Sequence, residues 1–181
     1  MLPLGTLAPD FDLPGTDGAR HSLRSFASGK LLLVAFICNH CPFVKHIQAE
    51  LARLGRDCQQ QGVAMVAISS NDIEAYPADG IEQMRAEAAA AGYVFPYLLD
   101  ESQQVAKAYD AACTPDFFLF DGARKLIYRG QFDDSRPGSG ISVTGKDLRA
   151  AIEAALKHEQ LPALQKPSMG CNIKWKPGNA P

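Results

Sequence analysis

The stretch Leu31–Leu54, LLLVAFICNHCPFVKHIQAELARL, decides how this chain folds. An unbroken apolar run ends at Cys38, Cys41 follows after two intervening residues, and Pro42 opens a different pattern. Beyond Pro42, the residues Val44, Ile47, Leu51, Leu54 and Cys58 recur three or four apart. That spacing marks one buried helix stripe, and Gly62 supplies its stop. Proline suits a first helical turn because its missing N–H has no intrahelical partner there. The segment reads as strand, Cys-x-x-Cys turn and helix.

Working outward, apolar runs predict strands over Leu31–Cys38, Val63–Ser69, Phe117–Phe120 and Lys125–Gly130, and helical patterns predict helices over Asp79–Ala91, Glu101–Tyr109 and Gly145–His158. The alternation predicts an α/β domain with a central mixed sheet flanked by helices. Parallel strands come from the strand–helix repeats. An antiparallel pair comes from Asp121-Gly122, a hairpin-turn signal between the last two strands. The opening APDFDLPGTDGARHSLRSF reads as an N-terminal hairpin around GTDG. Residues 1–158 form the expected domain. Residues 159–181, with Pro162, Pro167, Pro177 and Pro181, show no strand or helix period and predict an irregular tail, wrapped on the surface or mobile.

With 18 basic and 20 acidic side chains there is almost no net field to attract nucleic acid or an anionic surface. The longest apolar run falls far short of the roughly 20 residues that cross a bilayer. Met1–Phe11 lacks the basic start and apolar stretch of a signal peptide, so a cytoplasmic protein is expected. Five cysteines, an odd number, argue for free thiols, a metal site or a redox pair over a disulfide framework.

Cys38 falls where the strand stops and Cys41 in the first helical turn, where unpaired N–H groups and the positive dipole end converge. Thiolates so placed titrate at roughly 3.5–7.5 against an ordinary ~8.5. His40 and Lys45 add positive charge. Cys38, the sulfur expected to be more exposed, is assigned as nucleophile and Cys41 as the resolving thiol. A zinc site remains a rival of another class, with Cys113 and Cys171 completing the ligands, although no second Cys-x-x-Cys or His-x-x-x-His is present. A bystander pair is the bland alternative. The redox reading calls for no metal and no cofactor. Cys58 lies on the buried helix stripe and reads as packing, and His21, His46 and His158 have no ligand pattern.

Strand, Cys-x-x-Cys-Pro and helix together resemble the thioredoxin superfamily, and CTPDFFLFDGARKLIYRG resembles its Thr-Pro followed by a hairpin. The resemblance implies a thioredoxin fold, a cis bond before Pro115, and substrate held by Thr114 and Pro115. APDFDLPGTDGARHSLRSFASGK is similar to the start of peroxiredoxins of the alkyl hydroperoxide reductase and thiol-specific antioxidant (AhpC/TSA) group. GCNIKWKPGN resembles the ending of a subgroup that carries Cys-x-x-Cys. The likeness spans Ala8–His158.

Two departures stand out. Cys41 takes the peroxidatic slot and Cys38 the position of its Thr, with no Pro ahead of them. The strand Leu31–Ile37 carries no acid, so proton removal from Cys41 falls to water, His40 or Asp116. The resemblance implies a thiol–disulfide oxidoreductase, or alternatively a thiol peroxidase. Its partners are a disulfide- or peroxide-bearing substrate and a thiol reductant, and it acts as monomer or homodimer. Cys113, Cys171 and Arg129 are accessory candidates, and the loop GQFDDSRPGSG is expected to frame the mouth of the site.

Overall fold

The computed structural model describes residues 2–181. Its elements are β1 (Asp12–Pro14), β2 (Arg20–Ser22), β3 (Leu31–Phe36), α1 (Pro42–Gln61), β4 (Val63–Ser69), α2 (Ile81–Ala91), β5 (Tyr97–Leu99), α3 (Gln104–Ala108), β6 (Cys113–Thr114), β7 (Asp116–Phe120), β8 (Leu126–Gly130), α4 (Lys146–Leu156) and β9 (Cys171–Asn172). β1 and β2 form the expected antiparallel hairpin across GTDG.

Five strands make one mixed sheet in the order β5-β4-β3-β7-β8. β3 runs parallel to β4 and antiparallel to β7, and β7 turns antiparallel into β8 through Asp121-Gly122. All six residues of β3 are buried because both sheet faces are covered. Successive side chains point to opposite faces. Leu31, Leu33 and Ala35 therefore join the layer containing Leu51 and Leu54 of α1 and Ile152 of α4. Leu32, Val34 and Phe36 join the other layer, with Phe26, Tyr109 and Phe118.

The elements differ from expectation mostly at their ends. β3 leaves the ladder after Phe36, so Cys38 sits in a loop beyond the strand. Asp79 closes a separate 3-10 turn, Pro77–Asp79, and α2 begins only after Gly80. α3 starts at Gln104 because Gln103 adopts a left-handed backbone (φ 64°), and α4 starts at Lys146 after Gly145 (φ 65°) does the same. β5 is three residues long and β6 two, too short to show a period.

The tail departs from the expected irregularity at one place. It runs beside the sheet edge, where Gln131 N–H donates to Lys166 O (3.0 Å) and Ser168 Oγ donates to Gly130 O (2.6 Å). It then forms β9, antiparallel to β6, with Thr114 opposite Cys171. Ile173 is buried in the second core layer. Lys174 N–H donates to Asn71 Oδ1 (2.8 Å) and Lys176 N–H to Gln103 Oε1 (2.9 Å). A two-residue strand among prolines leaves no periodic trace in the sequence.

Candidate active site

The β3–β7 register places Phe36 opposite Asp116. The chain just before β7 must therefore lie beside the chain just after β3. These segments are Thr114–Pro115, joined by a cis bond, and Ile37–Cys41. Thr114 bridges both sulfurs. Its Oγ1 lies 3.4 Å from Cys38 Sγ, and its carbonyl oxygen accepts from the Cys41 thiol at 3.1 Å. Both sulfurs therefore stand against the same residue.

Cys41 is the N-cap of α1 and Pro42 its first residue. The unpaired N–H groups of the first turn converge on Cys41, leaving Cys38 three residues upstream. The Cys41 pKa is lowered to about 4, first by the hydrogen bond from Cys38, then by the Thr114 side chain and the backbone N–H groups of Val44 and Cys171, against the cost of burial. The Cys38 pKa is raised, first by that same hydrogen bond, which keeps its proton in place, then by burial and the Asp79 charge. The direction of these shifts favours Cys41 as the thiolate, whereas Cys38 is the nucleophile expected from the sequence. Cys38 is the more exposed of the two, as expected, but both are buried, at 3% and 0%.

His40 occupies the turn between the two sulfurs. Its ring stacks on Tyr76 (centroids 5.3 Å apart, planes 9° apart), and its Nδ1 lies 2.6 Å from Asp79 Oδ2. Asp79, wholly buried, also accepts from Asn39 N–H (2.8 Å) and Asn71 Nδ2 (2.9 Å). Asn39 in turn accepts from Tyr97 Oη at 3.1 Å. The buried carboxylate thus fixes the Cys-x-x-Cys turn. Sequence reasoning missed Asp79 because it read as an ordinary helix start. A buried acid 40 residues from its partner gives no local signal.

Ligand atoms of Cys38, His40 and Asp79 lie within 4.8 Å of one another. Among the described residues this is the group spaced to hold a metal ion, and it excludes the Cys41, Cys113 and Cys171 expected for zinc. Both Asp79 oxygens already accept hydrogen bonds, which suits a structural carboxylate better than a ligand.

The accessory candidates divide. Cys171, in β9 and partly exposed, pairs with Thr114, the residue whose carbonyl meets the Cys41 thiol. Cys113 is buried, its thiol donating to Pro115 O, and burial pushes its pKa up to about 12. Asp116 is buried below the site, where its Oδ2 accepts from Ala112 N–H (3.3 Å), and burial raises its pKa to about 6. Its charge also acts on Cys113. Arg129 is not at the thiolate. It lies in β8 opposite Phe118 of β7 and donates to Leu2 O. Cys58 is buried on the α1 stripe as expected. From the expected framing loop, Phe132 and Arg136 line a cleft of only about 10 Å³ beside Pro115 and Phe43.

A mixed sheet, a Cys-x-x-Cys at the head of the helix that follows its central strand, and a cis-proline facing the sulfurs define a thioredoxin-like protein. Within that class the chain belongs to the AhpC/TSA family, which matches residues 4–129. It is 55% identical to a hypothetical protein of Sinorhizobium meliloti whose crystal structure superposes with a TM-score of 0.96, covering 98% of this chain and 97% of that one. An uncharacterized conserved protein of Geobacillus kaustophilus is 56% identical, with a TM-score of 0.96 and coverage of 98% and 95%. The thiol-disulfide oxidoreductase ResA of Geobacillus thermodenitrificans is 29% identical over 153 residues, 83% of this chain and 77% of that protein. Among the described residues no helix is long and apolar enough to cross a membrane.

Proposed function

We propose that this chain is a thiol–disulfide oxidoreductase whose couple is Cys38 and Cys41. The observation that carries the reading is the placement of both sulfurs on Thr114 at the head of α1, where Cys41 ionises the more readily of the two. Cys41 S⁻ attacks one sulfur of a substrate disulfide. A Cys41–substrate disulfide forms, and the other substrate sulfur leaves as a thiolate that takes up a proton from solvent. Cys38 then gives its proton to His40 and attacks Cys41, forming Cys38–Cys41 and releasing the second substrate thiolate, which is protonated in turn. Two electrons pass from the protein to the substrate, and an external thiol reductant resets the pair. Thr114 and Pro115 bind the substrate chain by backbone pairing, on the edge that β9 occupies in this structure.

The relative named thiol-disulfide oxidoreductase supports this reading, as does family membership. A cytoplasmic location and a monomer or homodimer complete the proposal. The test is reduction of insulin disulfides by wild-type protein with dithiothreitol as donor. Cys38→Ser and Cys41→Ser should each abolish it, and full activity in either variant would overturn the couple. AhpC/TSA membership favours one second reading, a peroxidase in which Cys41 becomes a sulfenic acid and Cys38 condenses with it, releasing water. Peroxide consumption faster than insulin reduction would favour that reading.

A further inference from the structure

We propose that Cys171 is a second resolving thiol for Cys41, so that the site exchanges electrons among three sulfurs. The proposal rests on Cys41 being the nucleophile of the reading above.

Three observations carry it. Thr114 meets Cys38 through its hydroxyl and Cys41 through its carbonyl, and it pairs with Cys171 in β9, so one residue gathers three sulfurs. The register that brings Cys171 there is fixed. Thr114 pairs with Cys171 and Cys113 with Asn172, Gly170 packs on the Thr114 carbonyl, and Ile173 N–H donates to Ala112 O at 3.3 Å. The segment is also pinned outside the strand, by Ser168 on Gly130 and by Lys174 on Asn71. A cysteine that merely filled space would need none of this. The third observation is access. Cys38 and Cys41 are buried, whereas Cys171 is partly exposed.

The chemistry balances without an added oxidant. With β9 lifted from Thr114, Cys41 forms its disulfide with the substrate. When β9 returns, Cys171 attacks Cys41: the Cys41–substrate bond breaks, Cys41–Cys171 forms, and the substrate thiolate leaves with the proton that Cys171 gives up. Cys171 is raised in pKa by burial and then by the Cys41 thiolate, and lowered by Lys174. The Cys41 charge disappears once that sulfur is bonded to substrate, so Cys171 ionises more readily at the step that needs it. Cys38 can afterwards attack Cys41 to give Cys38–Cys41, breaking Cys41–Cys171, and the proton that Cys38 gives up passes to the departing Cys171 sulfur. A reductant can instead attack the exposed Cys171 sulfur.

The test uses the full-length chain as Cys38→Ser, oxidised with diamide and digested with trypsin without reductant. The peptide Leu31–Lys45 should be found joined to His158–Lys174 within one chain. Cys38→Ala should give the same link, and adding Gly170→Ala to either should lower its yield several-fold by unseating β9. Cys41 recovered free, or joined to another cysteine, would overturn the proposal, as would equal yields with and without Gly170→Ala. Loss of insulin reduction in wild-type protein that still forms the link would remove the disulfide-reductase reading alone. Insulin reduction without the link would remove only the role of Cys171.

Discussion

Gly170 lies so close to Thr114 that a Cβ on the glycine would stand 2.0 Å from the threonine carbonyl oxygen. The same carbonyl accepts from Cys41 at 3.1 Å, so the tail and the reactive sulfur share one backbone group. Only a residue without a side chain permits this approach.

Gly170→Ala should therefore detach β9 at a cost of about 1–3 kcal/mol, the range for forcing a methyl into a packed contact. Iodoacetamide should then alkylate Cys41 roughly tenfold faster or more, because each 1.4 kcal/mol of opening is tenfold in the open population. An unchanged rate would show that β9 does not limit access.

The lowered Cys41 pKa and raised Cys38 pKa fix how the couple responds to pH. Between about pH 4 and the Cys38 titration, reduction of the disulfide takes up one proton for two electrons. The potential should fall by about 30 mV per pH unit, against ~59 mV where both thiols are protonated, because tenfold in a two-electron equilibrium is ~30 mV. Equilibration with glutathione across pH 6–8 measures it. By linkage, Cys41 stabilises the reduced fold fully above its unfolded-state pKa near 9, and this contribution is lost as pH falls toward about 4.

How much of this was legible beforehand follows from range. The apolar run into Cys38, the stripe from Val44 to Cys58 and Asp121-Gly122 are local signals, and they placed β3, α1 and the β7–β8 hairpin. Thr114–Pro115 was found through resemblance. The long-range pairs were silent: Asp79 with His40, and Cys171 with Thr114, have no sequence pattern because their partners meet only after folding. Which of the two thiols ionises first depends on which cysteine caps the helix, a matter of two or three residues that the sequence pattern does not resolve.

Asp79→Asn should destabilise the protein by about 1–3 kcal/mol. The new amide would point an N–H₂ at a donor, Asn39 N–H or Asn71 Nδ2, leaving a buried group unsatisfied. Chemical denaturation measures this, and a loss below ~0.5 kcal/mol would contradict the role assigned to the carboxylate. Insulin reduction should fall as well, since His40 loses its buried partner.

Asp116 should act in the opposite sense with pH. Its pKa is raised to about 6 by burial, so the folded state holds a proton that the unfolded state releases near 4. Stability should decline as pH rises from about 4 to 6, by up to about 3 kcal/mol for a shift of two units. Asp116→Asn should remove that decline and gain stability at pH 7 but not at pH 4. Parallel pH–stability curves for the two proteins would refute it.

The pairing of β6 with β9 sets up one last contrast. A bond between Cys38 and Cys41 ties a knot of four residues and restrains the unfolded chain little. One between Cys41 and Cys171 would act as a clasp around about 130 residues, and chain entropy puts such a closure near 5 kcal/mol, more than twice the value for the small ring. Two forms with the same number of disulfides would then melt at different temperatures, making calorimetry a gauge of where the electrons reside.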